Sequence, residues 1–169
     1  IEYIVDLLAS KLGEIINIPD NYKIYVQEKK NPRISCKEKQ IKDGIHIIIG
    51  IKSDHITQQL LRKKMVNEIK EMWESEFEIT NTWDDVLDNC ISSGSTNWQL
   101  YGSTKPAFEP YALTKVYDVN YNSDSNELDL RPISLKKFDL KKNFEKLSAR
   151  YRNHPLFFYT NDFIKIRQE

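Results

Sequence analysis

Two short stretches of the chain carry the kinds of group that bind a polyphosphate. The first, K-D-G-I-H-I-I-I-G, covers residues 42–50 and places His46 on an apolar run after a glycine turn. The second, W-Q-L-Y-G-S-T-K-P, covers residues 98–106 and places Ser103 and Lys105 after a glycine. An imidazole, a hydroxyl, an ammonium and a flexible backbone can together bind phosphate oxygens. The pair of stretches predicts nucleotide chemistry.

His46 has two readings. A single histidine on an apolar strand is more often a packed, hydrogen-bonded core residue than a functional one. Alternation along a strand changes that balance, because His46 and Ile48 share one face if the odd-numbered isoleucines of residues 45–49 share the other. Next to Gly44, at the start of the strand, the imidazole would lie at the rim of a sheet. There it could donate to a phosphate oxygen and titrate near neutrality.

The second stretch is a weak signal when taken alone. It lacks the G-x-x-x-x-G-K-[ST] spacing of a P-loop, and the simplest reading is a turn with solvated polar side chains. The alternative is a nucleotide pocket to which Tyr101 belongs. In it Gly102 permits a close backbone approach, Ser103 donates a hydrogen bond and Lys105 supplies a point charge.

Asp88 lies between the two stretches, after a short apolar segment. It either caps the following turn or acts as a hard oxygen ligand for Mg²⁺ or Mn²⁺, and the two readings are evenly balanced. Phosphoryl transfer with two metal ions needs two or three such carboxylates. Asp84 and Asp85 suit the start of a helix better than this site, because acidic side chains there match the helix dipole.

The elements that must position these residues indicate an α+β domain. Apolar spacing and turn residues predict a helix over residues 1–16, strands at 22–28 and 45–51, and a loop at 29–40. The second of these strands is expected to be buried on both faces. A long helix follows Ser53-Asp54, and a short one begins at Thr82. Later come a short strand at 98–101, a hairpin of 111–121 and 127–130 around a turn at 122–126, and a helix over 136–152.

Size and composition limit the class of protein. A chain of 169 residues makes one ordinary domain, and its 25 basic and 25 acidic residues give no global attraction to nucleic acid or membrane. Two cysteines are too few for a disulfide framework, which favours a reducing compartment. We expect a domain over residues 1–152, truncated at its N-terminus. Residues 153–169 then form a linker or the start of the next region.

Three motifs, taken in order, resemble the primase domain of the poxvirus-type primase-helicases of nucleocytoplasmic large DNA viruses. They are K-D-G-I-H-I-I-I-G at 42–50, V-L-D at 86–88 and W-x-L-Y-G-S-x-K-P-x-x-x-P-Y-x-L at 98–113. The last motif is long, and the ordered set is far more specific than any single piece. The resemblance covers about residues 40–118 and extends to about residue 150. It implies an RRM-like catalytic domain of the archaeo-eukaryotic primase superfamily.

The resemblance also implies roles. His46 matches the histidine that contacts the phosphates of the incoming nucleoside triphosphate, and Asp88 matches a carboxylate that helps to bind the catalytic metal. Ser103 and Lys105 match positions that line the nucleotide pocket, beside Tyr101 and Gly102. The implied reaction is template-directed nucleotidyl transfer with Mg²⁺ or Mn²⁺ on a single-stranded DNA template. The implied partner is a helicase domain in the same parent chain, working in the host cytoplasm or nucleus and away from any membrane.

One departure from the family pattern limits these roles. The Asp-x-Asp strand of the family is not found here, since Asp6 lies in a helical pattern and lacks a second aspartate. We therefore expect the chain to begin just downstream of that strand and to be inactive by itself. The alternative is a catalytically inert primase-fold module that binds single-stranded DNA or scaffolds a helicase oligomer. An unrelated α+β binding domain is a third, much weaker reading.

Overall fold

The chain contains both helices and strands in an α+β arrangement, as predicted. In a computed structural model of the protein, the described residues are 1–17, 21–34, 41–42, 44–94, 98–106, 108–122 and 127–168. The helices are α1 (Glu2–Gly13), α2 (His55–Trp73), α3 (Trp83–Val86), α4 (Asn89–Ser92), α5 (Leu140–Asn143), with a 3₁₀ turn directly after it (Phe144–Leu147), and α6 (Asn161–Ile166). The strands are β1 (Ile16–Asn17), β2 (Tyr22–Glu28), β3 (Arg33–Ile34), β4 (Ile41–Lys42), β5 (Ile45–Ile49), β6 (Ala112–Asn122), β7 (Glu127–Pro132) and β8 (Phe158–Tyr159).

These elements form two compact units. The helical unit lies within residues 1–19, 52–97 and 156–169, and the sheet unit lies within residues 20–51 and 98–155. Both units are therefore discontinuous in sequence.

The helical unit is built around the contact between α1 and α2. Each helix buries an apolar stripe at helical spacing: Val5, Ala9 and Leu12 on α1, and Leu61, Met65 and Ile69 on α2. The predicted start of the long helix is confirmed, because the Oδ1 atom of Asp54 accepts a hydrogen bond of 2.8 Å from the backbone N–H of Thr57. Asp6 lies within α1, as its helical pattern predicts.

The last described residues belong to the helical unit. Strand β8 pairs with β1 in antiparallel fashion, and the Thr160 N–H donates to the carbonyl of Ile15 over 3.0 Å. Phe163 of α6 is 2 % exposed. The Arg167 guanidinium lies 2.7 Å from the Asp54 carboxylate, and its carbon is 4.7 Å from the centre of the Tyr159 ring. Within the region predicted as a linker, residues 158–166 thus contain a strand and a helix.

The sheet unit is built on an antiparallel sheet. Among the described residues, four strands form it in the order β5-β2-β6-β7. Its register places Tyr25 opposite Ile48 on β5 and opposite Val116 on β6, so these three side chains lie on one face. With Leu147 they form a buried cluster. The predicted hairpin is confirmed by the pairing of β6 with β7, and its turn at 123–126 lies outside the described residues.

Strand β5 corrects one prediction. We expected it to be buried on both faces, but it lies at the edge of the sheet, and Ile45 is 39 % exposed. Of its residues only Ile48 is buried. A run of β-branched residues favours a strand, but the position of that strand in the sheet is decided by long-range pairing.

Two further elements differ from prediction. Residues 98–101 are not a strand. Trp98 and Tyr101 instead pack their rings against the buried cluster of the sheet, so the aromatic residues mark packing rather than pairing. Residues 136–152 are not one helix. Only α5 and the 3₁₀ turn form there, with Asp139 capping α5 by accepting from the Lys142 N–H at 3.0 Å.

In the described part of the chain, no helix is long and apolar enough to cross a membrane.

Candidate functional site

His46 lies on the sheet face that carries the buried cluster. Its partner across the sheet is Gln27, and the next pair along the same face is Tyr25 with Ile48. The prediction that His46 and Ile48 share a face is therefore confirmed. The residue is half-buried and lies on the edge strand of the sheet.

The imidazole of His46 is stacked between two aromatic rings. Its centre lies 3.6 Å from that of Tyr111 and 4.5 Å from that of Trp98, and both interplanar angles are 16°. Because the flat faces of the ring are covered, its nitrogen atoms can reach a ligand only through the ring edge. The stack fixes the plane in which such a contact would form.

Sequence reasoning missed the roles of the residues around His46. Trp98 and Tyr111 lie near the two ends of the long aromatic motif, but nothing in the sequence indicated that both would pack on one imidazole. The Lys29 ammonium lies 5.0 Å from the centre of the Tyr111 ring, which adds a cation–π contact. Gly44 lies so near that a Cβ there would come within 2.7 Å of the Tyr111 Oη, so the glycine leaves room for the ring.

The predicted nucleotide-binding residues of the second stretch form a turn. Gly102 has a φ of +77°, a left-handed conformation that glycine adopts without strain, and a Cβ there would meet no atom within 4 Å. The Ser103 hydroxyl donates to the carbonyl of Leu100 over 2.7 Å, so a phosphate would have to compete with that acceptor. Lys105 is exposed and, within the described ranges, makes no ion pair.

Tyr101 connects this turn to the sheet. Its hydroxyl accepts a hydrogen bond of 3.2 Å from the Leu113 N–H, and its ring meets that of Phe144 edge to face at 5.8 Å. Since Trp98 precedes the turn by only a few residues and stacks on His46, the structure brings the turn and the histidine into one unit.

Asp88 belongs to the helical unit, where it is the N-cap of α4. Its Oδ1 atom accepts from the Cys90 N–H at 2.8 Å, which is the capping role that the sequence left open. Asp85 accepts from the Thr82 N–H at 3.1 Å and completes a capping box, as its position at a helix start indicated. The hydrogen bonds from the Thr82 side chain and backbone lower the pKa of Asp85.

Asp88 is the residue predicted to bind a divalent metal. A group of three His, Cys, Asp or Glu side chains able to hold a metal ion is absent from the described ranges. Asp88 offers a single carboxylate, one oxygen of which is already engaged as a helix cap. Mg²⁺ is commonly bound through one or two carboxylates plus substrate phosphates, so the Asp88 prediction stays a prediction without a second ligand beside it.

Comparison with known families identifies the domain. A family model described as the C962R protein N-terminal AEP domain, where AEP denotes archaeo-eukaryotic primase, matches residues 1–117. No curated protein is significantly similar to the chain. The family match includes His46, Asp88 and the turn at 101–105. Because the match covers more than half of the chain, the protein belongs to the N-terminal archaeo-eukaryotic primase domain family of C962R-type viral primase-helicases.

Proposed function

We propose that this archaeo-eukaryotic primase domain binds the triphosphate of an incoming nucleotide through its sheet unit, as part of a viral primase-helicase that makes primers on single-stranded DNA. The observation that carries the proposal is the stacked imidazole of His46 on the sheet edge. A ring held between Trp98 and Tyr111 needs no further ordering when a ligand arrives, and preorganised donors bind more tightly.

In the proposed reaction, the 3′-hydroxyl of one nucleotide attacks the α-phosphate of the next. A new phosphorus–oxygen bond forms, the bond to pyrophosphate breaks, and the hydroxyl proton is lost to solvent. His46 would donate through its ring edge to a phosphate oxygen, and Lys105 would add a positive charge that offsets the charge of the leaving pyrophosphate.

A second candidate is a catalytically inert primase-fold module that binds single-stranded DNA or scaffolds a helicase oligomer. The observation that favours it is Asp88, which caps a short helix and, in the described part of the chain, belongs to no group of three or more side chains that could hold a metal ion. Primer synthesis by the full-length protein separates the two candidates. Dependence of that activity on Asp88, tested with Asp88→Asn, supports the enzyme, and full activity of this variant removes Asp88 from the mechanism.

Calorimetric titration of the domain with ATP and with dATP tests nucleotide binding. His46→Phe keeps an aromatic ring in the stack but removes both nitrogens, and Lys105→Ala removes the exposed charge. Each should weaken binding by about 10-fold or more, because hydrogen bonds to charged groups are worth about 1.5–3 kcal/mol. Lys165→Ala, on the exposed surface of the helical unit, is the matched control and should bind as the wild type does.

The outcomes are distinct. Unchanged triphosphate affinity in His46→Phe, His46→Ala and Lys105→Ala would show that the site assignment is wrong. Titration with Mg²⁺ and then with EDTA shows whether a metal contributes to the affinity of this chain for the triphosphate.

A further inference from the structure

The sheet unit has an open groove that the proposed nucleotide site does not explain. Its lining includes three aromatic residues, two arginines and one glutamate: Tyr101, Phe144, Tyr151, Arg150, Arg152 and Glu145. Phe144 is 50 % exposed although it is a large apolar side chain. Most of the groove comes from residues 144–153, which lie beyond the residues matched by the family model.

The segment that contributes most of the groove is far more basic than the whole chain, although Glu145 lies in the groove beside the two arginines. Residues 136–152 contain seven basic and two acidic residues, while the chain has 25 of each. The basic residues are Lys136, Lys137, Lys141, Lys142, Lys146, Arg150 and Arg152. A local excess of this size in a neutral protein is complementary to a polyanion.

The aromatic residues of the groove indicate which kind of polyanion it would bind. The Phe144 ring meets Tyr101 edge to face at 5.8 Å, an arrangement in which the rings stand at 77° to each other. Tyr151 is in turn held edge to face by His154 at 4.7 Å. Partly exposed, well-supported rings can stack on unpaired bases, whereas the bases of a duplex are already stacked on each other.

We propose that this groove binds single-stranded nucleic acid, with bases stacked on Phe144 and its neighbours and phosphates held by Arg150 and Arg152. Aromatic platforms in a basic groove are the general means by which proteins bind single strands without sequence preference. The proposal goes beyond nucleotide binding at His46, because it assigns a second surface formed largely outside the matched residues. It stands even if the triphosphate does not bind at His46.

Fluorescence anisotropy with a labelled 20-nucleotide single strand tests the groove. The double variant Arg150→Gln/Arg152→Gln should lower affinity by about 20-fold at 0.1 M salt. It should also reduce the slope of log affinity against log salt by about 1.4, since each phosphate contact to a single strand contributes about 0.7. Phe144→Ala should lower affinity by about 5- to 160-fold, because stacking of one base contributes about 1–3 kcal/mol.

Two controls match these changes. Lys63→Gln/Lys165→Gln removes two positive charges from the helical unit, and Phe77→Ala removes a ring that is 53 % exposed there. Both should bind the strand as the wild type does. Thermal unfolding of every variant confirms that the fold is retained, and Phe144→Leu replaces Phe144→Ala if the alanine variant is unstable.

The proposal is overturned if the wild type does not bind the strand, or if folded groove variants bind it with unchanged affinity and salt slope. It is also overturned if an unlabelled duplex competes as well as an unlabelled single strand. Strands of DNA and RNA, run in parallel, show which sugar the groove prefers. A loss of triphosphate binding in His46→Phe with strand binding retained would confirm that the two sites are separate.

Discussion

At the scale of single residues, the orientation of His46 depends on the rings that cover it. Trp98 and Tyr111 stack on its two faces, and Gly44 leaves the space that the Tyr111 hydroxyl occupies. The sequence placed His46 on the correct face of its strand, because alternation requires only local structure. It did not predict the stack, because Trp98 and Tyr111 are brought to His46 by the tertiary fold and by no periodic pattern.

For Asp88, in contrast to the stack on His46, the sequence could predict the contact that the structure shows. Its capping role depends on the two residues that follow it, so the sequence could predict that role, and the hydrogen bond to Asp88 from the Cys90 N–H is present. Its metal role depends on carboxylates from elsewhere in the chain, which no local pattern can place. Arg62 stabilises the same region, because its side chain donates to the Leu87 carbonyl at 2.7 Å and pairs with Asp84 at 3.0 Å.

His154 should make stability depend on pH. Burial lowers its pKa from 6.5, the nearby positive charge of Lys146 lowers it further, and its buried Nε2 has no hydrogen-bond partner in the described part of the chain. The unfolded state therefore binds more protons than the folded state below about pH 6.5, and stability is lost as the pH falls from there towards the lower folded pKa.

Urea unfolding between pH 5 and pH 8 measures this dependence. The wild type should lose stability below about pH 6.5, while His154→Phe, which keeps the edge-to-face contact with Tyr151, should lose less over the same range. Equal slopes for the two proteins would show that His154 is solvated in both states.

At the scale of elements, prediction succeeded where one local signal was sufficient. Helices α1 and α2 have apolar stripes and α2 has an N-cap aspartate, so their positions follow from the sequence. The helix predicted around α5 is longer than the one observed. Its apolar spacing is weak, and Asp139 caps a new, short helix inside the predicted range. The edge position of β5 could not be predicted, because it depends on which strands pair with β2.

Helix α6 should contribute strongly to stability although it is short. Phe163 is 2 % exposed, so Phe163→Ala should destabilise the fold by about 3–5 kcal/mol, as measured by urea unfolding. Phe158→Ala is the matched control, because Phe158 is 81 % exposed and its loss should change stability by about 0.5 kcal/mol or less. Similar small effects for both variants would mean that α6 contributes little to the core.

Hydrogen bonds and an ion pair connect the start of α2 to the residue that follows α6. Burial raises the pKa of Asp54, but hydrogen bonds from the Thr57 backbone, the Arg167 guanidinium and the Thr57 hydroxyl outweigh it and lower the pKa to about 2. A hydrogen bond of 2.9 Å also joins the Thr57 and Tyr159 hydroxyls. One carboxylate thus serves as a helix cap and as the ion-pair partner of Arg167, which follows α6.

At the scale of the whole molecule, the matched residues 1–117 do not contain either unit completely. They end inside β6, so β7 and the buried Leu147 of the sheet unit lie beyond them. Strand β8 and α6 of the helical unit also lie beyond them. The predicted boundary at residue 152 likewise separates β8 from β1, with which it pairs.

Shortening the chain to residues 1–152 tests that boundary. The shortened chain lacks Phe163, the Thr160 hydrogen bond to Ile15 and the ion pair of Arg167 with Asp54. We therefore expect it to unfold at a temperature at least 10 °C lower, on the basis of about 2–4 °C per kcal/mol in chains of about this length. Differential scanning calorimetry of both chains provides the measurement. An unchanged melting temperature would establish residues 1–152 as the independent domain.

The discontinuity of the helical unit also determines when it can finish folding during protein synthesis. Helix α1 is made first, and Phe163 follows its last residue by about 150 positions, which takes roughly 10–30 s at ordinary translation rates. Helix α2 packs on α1 earlier, whereas β8, which pairs with the strand directly after α1, is made later together with α6. For that interval the emerging polypeptide carries incompletely covered apolar surface, which is the kind of surface that favours aggregation.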